Sequence, residues 1–519
     1  MSEQPCFDLL NDRIVRAHNP SAPPSCHSLP EILALLSDGA TLEFPGLQAH
    51  QAHAWHAFLC HLGAIALHRG GEARLTAKSA AEWRALLKQL AQGQPEPWRL
   101  IVTDLSKPAF LQPPVPEGSL DAWKNEASEP DVIDVLVTAK NHDVKRRRAA
   151  RSAPEHWVYS LVSLQTTDGF AGKNNYGVVR MNGGYGNRAA IGIAASDQAS
   201  VRFRRDCSLL LERREQIASD FGFAERDGVA LLWLEPWTGT TSMPLARCDP
   251  LFVEICRRVR LQARGSKITA RFTGTTAPRL DGGETHGNVG DPWIPVRKAD
   301  AAGLTAKNLS YNILQEVLFG GDYQPSAASF VRPEDGDHPV IVGRILARGQ
   351  GKTEGYYERM IPCPPKAATM LGSLDGRQSL GSMARDRVEL ATRVRNKVLK
   401  PAILNLLQGG PDKLLFDDDR AEPFSRQFED RVDDAFFRSL FEAVDLPPVM
   451  AKRQWVDLLL DFARGVLDEA IRGTPIPIAR RYRAITAAER VFYGAARKHF
   501  ADNFPAKGGP LNAELTDEH

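Results

Sequence analysis

Three side chains with the chemistry of a metal site share one helical stripe: His53, His56 and Cys60. At roughly 100° per residue they fall within about 60° of one another. Imidazole nitrogen and thiolate sulfur are donors that zinc prefers. His50 and His61 flank them. The chemistry this would support is that of a zinc-dependent hydrolase. The same stretch also reads as a core helix, with Trp55, Phe58, Leu59, Leu62 and Ile65 making its apolar surface. Its imidazoles then meet water or backbone carbonyls. No fourth ligand presents itself, so no metal or cofactor is assigned.

A second set of residues has the chemistry of phosphate binding. Lys140, Asn141, His142, Lys145, Arg146, Arg147, Arg148 and Arg151 form one basic run. Arg202, Arg204 and Arg205 form another, and Arg257, Arg258, Arg260, Arg264, Lys267 and Arg271 a third. In a chain whose net charge is only +2, local runs of this kind focus positive potential and release counterions from nucleic acid. An ordinary solvated face is the plainer alternative. Between the runs lies a glycine-rich segment, Gly169-Phe170-Ala171-Gly172-Lys173-Asn174-Asn175-Tyr176-Gly177, followed by Arg180 to Arg188 with three more glycines. Glycine lets backbone approach a ligand closely, and Asn, Lys and Arg can reach groove edges or phosphates. A pair of glycine-bearing hairpin turns would use the same residues.

Nucleotide-hydrolysis motifs are missing. Gly349-Gln350-Gly351-Lys352-Thr353 ends like a phosphate-binding loop, but the position that should carry its first glycine is Leu346. No nucleophile elbow and no His-Glu-x-x-His occurs. Seven scattered cysteines without a two-residue spacing read as reduced, buried thiols.

The elements that must position these residues form an α+β chain of 519 residues. Residues 51–68 and 79–92 carry helical periodicity, and prolines from 95 to 116 mark loop. From 158 to 295, short β-branched runs among Gly, Asn and Asp predict short strands, hairpins and long loops. The small, polar stretch 366–382 predicts a linker. After it come four amphipathic helices, about 382–407, 423–444, 451–472 and 478–500, which predict an antiparallel four-helix bundle. The expected domains are a large mixed N-terminal body with long loops (1–370), a C-terminal bundle (383–505) and a flexible tail (506–519). No apolar run is long enough to span a membrane, and Met1 to Pro5 do not open a signal peptide, so the cytoplasm is the expected compartment.

The ordered combination of these features resembles the large subunit of the type I-E CRISPR Cascade complex, the CasA family. The resemblance is carried by Phe7-Asp8-Leu9-Leu10-Asn11, by Pro108-Ala109-Phe110-Leu111-Gln112, by Leu164 to Gly172, and by the bundle segments Glu429 to Phe437 and Ala479 to Phe500. Two departures stand out: Arg13 replaces an aromatic, and the loop 169–173 is poorer in glycine than the family's.

The resemblance implies a ribonucleoprotein subunit in antiviral defense, without catalytic activity of its own. Gly169, Phe170, Ala171, Gly172 and Lys173 would read the protospacer-adjacent motif (PAM) of double-stranded DNA from the minor groove. Gln350 would act as a strand-separating wedge with Lys352 as phosphate anchor. Thr138, Ala139, Lys140, Asn141 and His142 would hold the crRNA 5′ end, and Lys267 and Arg279 would give basic support. The implied partners are crRNA, target DNA, the backbone, handle-binding and small subunits of Cascade, and a helicase–nuclease effector. A general nucleic-acid-binding scaffold is the other reading of the same basic residues.

Overall fold

The computed structural model describes residues 7–135, 153–183, 186–265, 267–349 and 352–504, with backbone only for Gly349, Lys352 and Thr353. The chain divides into two units. The first comprises residues up to Leu309 together with Glu316–Ser373; the second comprises Ser310–Gln315 and the chain from Leu374 onward. The tail predicted from 506 lies outside the described residues.

The first unit is mixed helix and sheet. Its helices include α1 (Leu29–Asp38), α2 (Ala52–Arg69), α3 (Ala80–Leu90), α4 (Pro154–Thr167) and α5 (Ala199–Phe221). The start of α3 follows from a capping box: Glu82 N–H donates to Ser79 Oγ at 3.3 Å, while Ser79 N–H donates to the Glu82 carboxylate at 2.8 Å. Every residue of α2 from His53 to Leu67 is buried. A helix buried on all sides belongs to the interior: α2 packs against α3, α4 and α5, its histidines included.

Among the described residues, four two-stranded sheets in this unit stand beside two three-stranded ones. In one, β1 (Asn125–Ala127) pairs with β5 (Lys267–Thr273), which forms a hairpin with β4 (Arg258–Arg264). In the other, β2 (Ala190–Ala194) pairs with β6 (Val340–Gly349), which forms a long antiparallel hairpin with β7 (Lys352–Pro362). The strand β3 (Cys248–Val253) is wholly buried beside α2.

Two expectations need correction. The region 158–295 contains α4 and the 23-residue α5, not only strands and loops. Helix α5 buries Arg202, Arg205 and Asp206 among Phe203, Leu209, Leu210 and Ile217, so charges interrupt its apolar stripe and mask it from hydropathy. The stretch 366–382 is not a linker. It folds into helix Pro365–Leu371 and the start of helix Leu374–Val394, and its small residues Ala367 and Ala368 are buried packing residues.

The second unit is the helical bundle. Its helices run Leu374–Val394, continued through a π turn at Arg395–Leu399 to Lys400–Leu407; then Glu422–Glu442, Pro448–Gly473 and Ile478–His499. The first begins eight residues before the predicted cap, Ser382. The π turn has a local cause: Pro401 has no N–H to offer the preceding turn. The apolar stripes meet as predicted. Phe436 packs edge-on against Trp455 with centroids 5.9 Å apart, and Phe428, Val432, Leu459, Val466, Ala488 and Phe492 are buried around them. A remote segment joins this core: the Tyr311 ring lies 4.7 Å from that of Phe436, and its hydroxyl donates to Glu429 at 2.8 Å.

Candidate nucleic-acid interface

Helix α4 ends at Thr167, and the chain enters the glycine segment through Asp168. Val178 N–H donates to Asp168 O at 2.9 Å, closing the neck of a loop. Within it, Ala171 N–H donates to Asn175 O and Asn175 N–H to Gly172 O, which makes a tight turn at the tip. Gly172 has φ +110°, a conformation that L side chains rarely adopt, and a Cβ there would meet no atom within 4 Å. Gly177 is required for a different reason. Its Cβ would lie 2.5 Å from the carbonyl carbon of Gly169, so the two legs of the loop touch backbone to backbone. Ala171, Lys173, Asn174 and Asn175 are exposed. The tip is a small protruding turn with one lysine.

A cleft of about 420 Å³ opens beside this loop. It is lined by Phe170, Tyr176, Gly177, Met181, Gly183 and Leu280 among others.

The predicted wedge lies between β6 and β7. Their register ends at Gly349 opposite Lys352, which leaves residues 350 and 351 between the strands. Gln350 itself lies outside the described residues, and the Lys352 side chain is not described. The crRNA candidates Thr138 to His142, and the basic run 145–151, also lie outside them.

The structure brings the loop and the hairpin together on Asp168. One carboxylate oxygen accepts from Arg257 Nη2 at 2.6 Å and the other from Arg348 Nη1 at 2.6 Å. The three side chains are 5%, 11% and 13% exposed. Arg257 also donates to the carbonyls of Gly169 and Tyr176, one on each leg of the loop. Buried Gln165 positions Arg257 in turn, its Oε1 accepting from the backbone N–H groups of Cys256 and Arg257. None of these roles was assigned from the sequence; the one available signal was an aspartate directly before the first glycine.

Several sequence-derived candidates take other places. Arg279 is buried, and its guanidinium donates to the carbonyls of Leu232, Glu235 and Pro236. It is a packing arginine, unavailable to DNA. Lys267 is exposed at the start of β5, beside Arg264, which pairs with Glu126 at 2.8 Å. The first half of the third basic run is internal: Arg258 pairs with Glu117 at 2.6 Å, and Arg260, fully buried, donates to the carbonyls of Val102 and Asp104. In the second run, Arg205 is buried against Asp335 and Asp206 and only Arg204 is exposed. These two runs therefore make no continuous basic face.

The histidine stripe is also internal. His56 Nε2 donates to Asp206 at 2.8 Å, and Trp293 Nε1 donates to the same carboxylate at 2.9 Å. Burial, with Arg202 next, lowers His56 to about 4, while Asp206 is held at about 2 by His56 and neighbouring arginines against the opposing effect of burial. Arg188 donates to His61 Nε2 at 3.2 Å, which fixes Nδ1–H toward Leu251 O at 3.0 Å. His53 packs edge-on against Trp293 with no hydrogen-bond partner. Cys60 Sγ lies 3.6 Å from His56 Nε2, within hydrogen-bond range for sulfur, and burial raises its thiol well above the usual range. Among the described residues no group of three or more His, Cys, Asp or Glu is arranged to hold a metal ion. The core-helix alternative for this stripe is the one the structure adopts, with carboxylate and tryptophan partners as well as a carbonyl.

No family model and no curated protein matches the sequence. Solved structures do match. The CRISPR-associated protein Cse1 from Acidimicrobium ferrooxidans superposes with a TM-score of 0.65 over 97% of this chain and all of its own, at 15% identity. Its fold is that of the Cse1 (CasA) proteins. Thermobifida fusca Cse1 matches with a TM-score of 0.63 over 95% of this chain and 98% of its own, and Thermus thermophilus CasA with 0.59 over 95% and 99%, each at 15% identity. The Cse1 likeness thus runs through both units, the mixed body and the bundle alike. Among the described residues, no helix is long and apolar enough to cross a membrane.

Proposed function

We propose that this chain is the large subunit of a type I-E Cascade complex, an RNA-guided surveillance particle of the cytoplasm, and that it binds and positions nucleic acid without catalysing a reaction. The observation that carries this reading is the meeting of two segments 180 residues apart on one carboxylate, in a chain with the Cse1 fold. A small glycine turn suits close approach to the minor groove, whose degenerate pattern a backbone reader can use. The turn 169–173 reads the motif, with Gly172 allowing the tip conformation and Lys173 offering a cation to phosphate.

Gln350, between the paired strands, enters the duplex beneath the motif. A neutral amide can donate and accept, so it replaces hydrogen bonds of an opened pair without the cost of burying a charge. Opening one step costs on the order of 1–2 kcal/mol of stacking, which a local wedge can offset before the guide pairs. Lys352 holds a phosphate, Thr138 to His142 hold the crRNA 5′ end, and Lys267 supports the motif contact. The bundle meets neighbouring subunits, and the loaded particle recruits a helicase–nuclease.

The test is reconstitution. Co-expressed with its neighbouring genes, the chain should co-purify with a short RNA of defined length and bind duplex DNA in a motif-dependent way. Gly172→Asp should abolish motif dependence and leave assembly intact. Gln350→Ala should slow strand opening on paired DNA and have little effect on a target already unpaired beside the motif. Motif-independent binding by the parent, or an equal Gln350→Ala defect on both targets, would overturn the reading.

A further inference from the structure

Asp168 is a point where, among the described residues, the loop neck and the hairpin end share a nearly buried side-chain contact, close to the backbone bond from Asn187 N–H to Leu346 O. Arg257 grips both legs of the loop through the Gly169 and Tyr176 carbonyls and closes on one carboxylate oxygen. Arg348 takes the other oxygen, and it stands two residues before Gln350. The register of the hairpin shifts between Ala347 and Arg348, so that Arg348 faces Thr353 while Ala347 faces Gly355. Bulges of this kind re-aim a side chain. Here the irregularity immediately precedes the side chain that turns to Asp168. Residues 340–344 of β6 are held by β2, and Leu346 O accepts from Asn187 N–H at 2.9 Å, so beyond Leu346 the ribbon is two-stranded. One nearly buried, charge-assisted pair is a strong tether, because removing either partner strands a charge in low dielectric.

We infer that Asp168 is a positioning residue that couples the motif-reading loop to the strand-opening hairpin, so that seating the loop fixes where the hairpin tip meets the duplex. The inference rests on the proposed function. It adds that reading and opening are mechanically one event, carried by Asp168 with Arg257 and Arg348.

The experiment uses the reconstituted RNA-loaded complex. Arg348→Gln severs only the hairpin arm and leaves Arg257 holding the loop. Its motif-dependent affinity should stay within about twofold of the parent. Its rate of strand opening on paired DNA should fall about tenfold or more, with no change on a target pre-opened beside the motif. Arg348→Lys, which keeps a charged donor, should recover most of that rate. Asp168→Asn should lower affinity and rate together, and adding Arg348→Gln to it should slow opening no further.

The salt dependence of affinity separates coupling from direct contact: the slope should be the same in Arg348→Gln and parent. A slope lower by about 1 would make Arg348 a phosphate contact and overturn the coupling. Unchanged opening in Arg348→Gln, or equal losses of affinity and rate, would overturn it as well while leaving the proposed function standing. A parent complex without motif dependence would overturn both.

Discussion

Acidification should unfold the N-terminal unit from within, and the magnitude can be worked from its buried histidines. Burial, reinforced by Arg188, holds His53 well below the ordinary imidazole value; burial and Arg180 do the same to His61; burial and Arg202 bring His56 to about 4. Arg344 also faces His53 and His56. All three stay neutral in the folded chain at pH 5–6, whereas in the unfolded chain they titrate near 6.5. A histidine with a depressed folded value contributes stability above about pH 6.5 and loses it as the pH falls.

Glu254 works the other way. Burial, against the pull of Arg180, pushes it up to about 7, so it keeps its proton in the folded state across this window. Its contribution is present in acid and lost as the pH rises toward 7. Three imidazole protons against one carboxyl proton leave the unfolded state about two protons richer, and each is worth about 1.4 kcal/mol per pH unit. Stability should therefore fall by about 3 kcal/mol between pH 6 and 5, a large share of an ordinary domain's total.

Urea unfolding followed by tryptophan fluorescence reads this unit, because every tryptophan except Trp455 belongs to it. His53→Phe removes one titrating group without breaking a hydrogen bond, since neither ring nitrogen has a partner. It should halve the slope. Stability that is flat or rising from pH 6 to 5, or a slope untouched by His53→Phe, would refute the reasoning.

Two further outcomes follow from packing. Tyr311→Ala should cost about 3–5 kcal/mol, the range for truncating a buried ring, because the ring is 2% exposed against Phe436. Hydrogen exchange of amides 428–440 reads the loss, and unchanged protection would show that the 310–315 segment contributes nothing to the bundle core. Gly177→Ala should open the loop neck at a cost on the order of 1–3 kcal/mol, because the new Cβ would lie 2.5 Å from Gly169 backbone. Exchange across 168–178 should rise; an unperturbed loop would mean the legs have room to part.

The bundle was legible in the sequence because its signal is local. Val432, Phe436 and Leu440, or Leu459, Val466 and Ala470, recur at helical spacing, and Gly473, Pro475 and paired prolines at 447–448 mark the ends, so three of the four helices fall within about three residues of their predicted bounds. Helices α2 and α3 were legible for the same reason. Helix α5 was not, because charged residues such as Arg202, Arg205 and Asp206 interrupt its buried apolar face and their partners, such as Asp335, lie 130 residues away. The stretch 366–382 looked like a linker because smallness in a sequence does not distinguish flexibility from close packing.

The candidate site divides along the same line. Composition and order brought out the glycine turn and the paired glycines around Gln350, since both are features of neighbouring residues. The charge runs were misleading, because a string of arginines reads the same whether it faces water or, like Arg260 and Arg279, spends its donors on buried carbonyls. The histidine stripe left metal and core open until Asp206, Leu251 and Trp293 arrived from distant segments to occupy the imidazoles. Asp168 carries the sharpest contrast. Its type and neighbours say only that a turn follows, while its function as a junction depends on Arg257 and Arg348, 89 and 180 positions away. Periodicity and turn chemistry are written in adjacent residues; the partner of a buried charge is chosen by the folded chain.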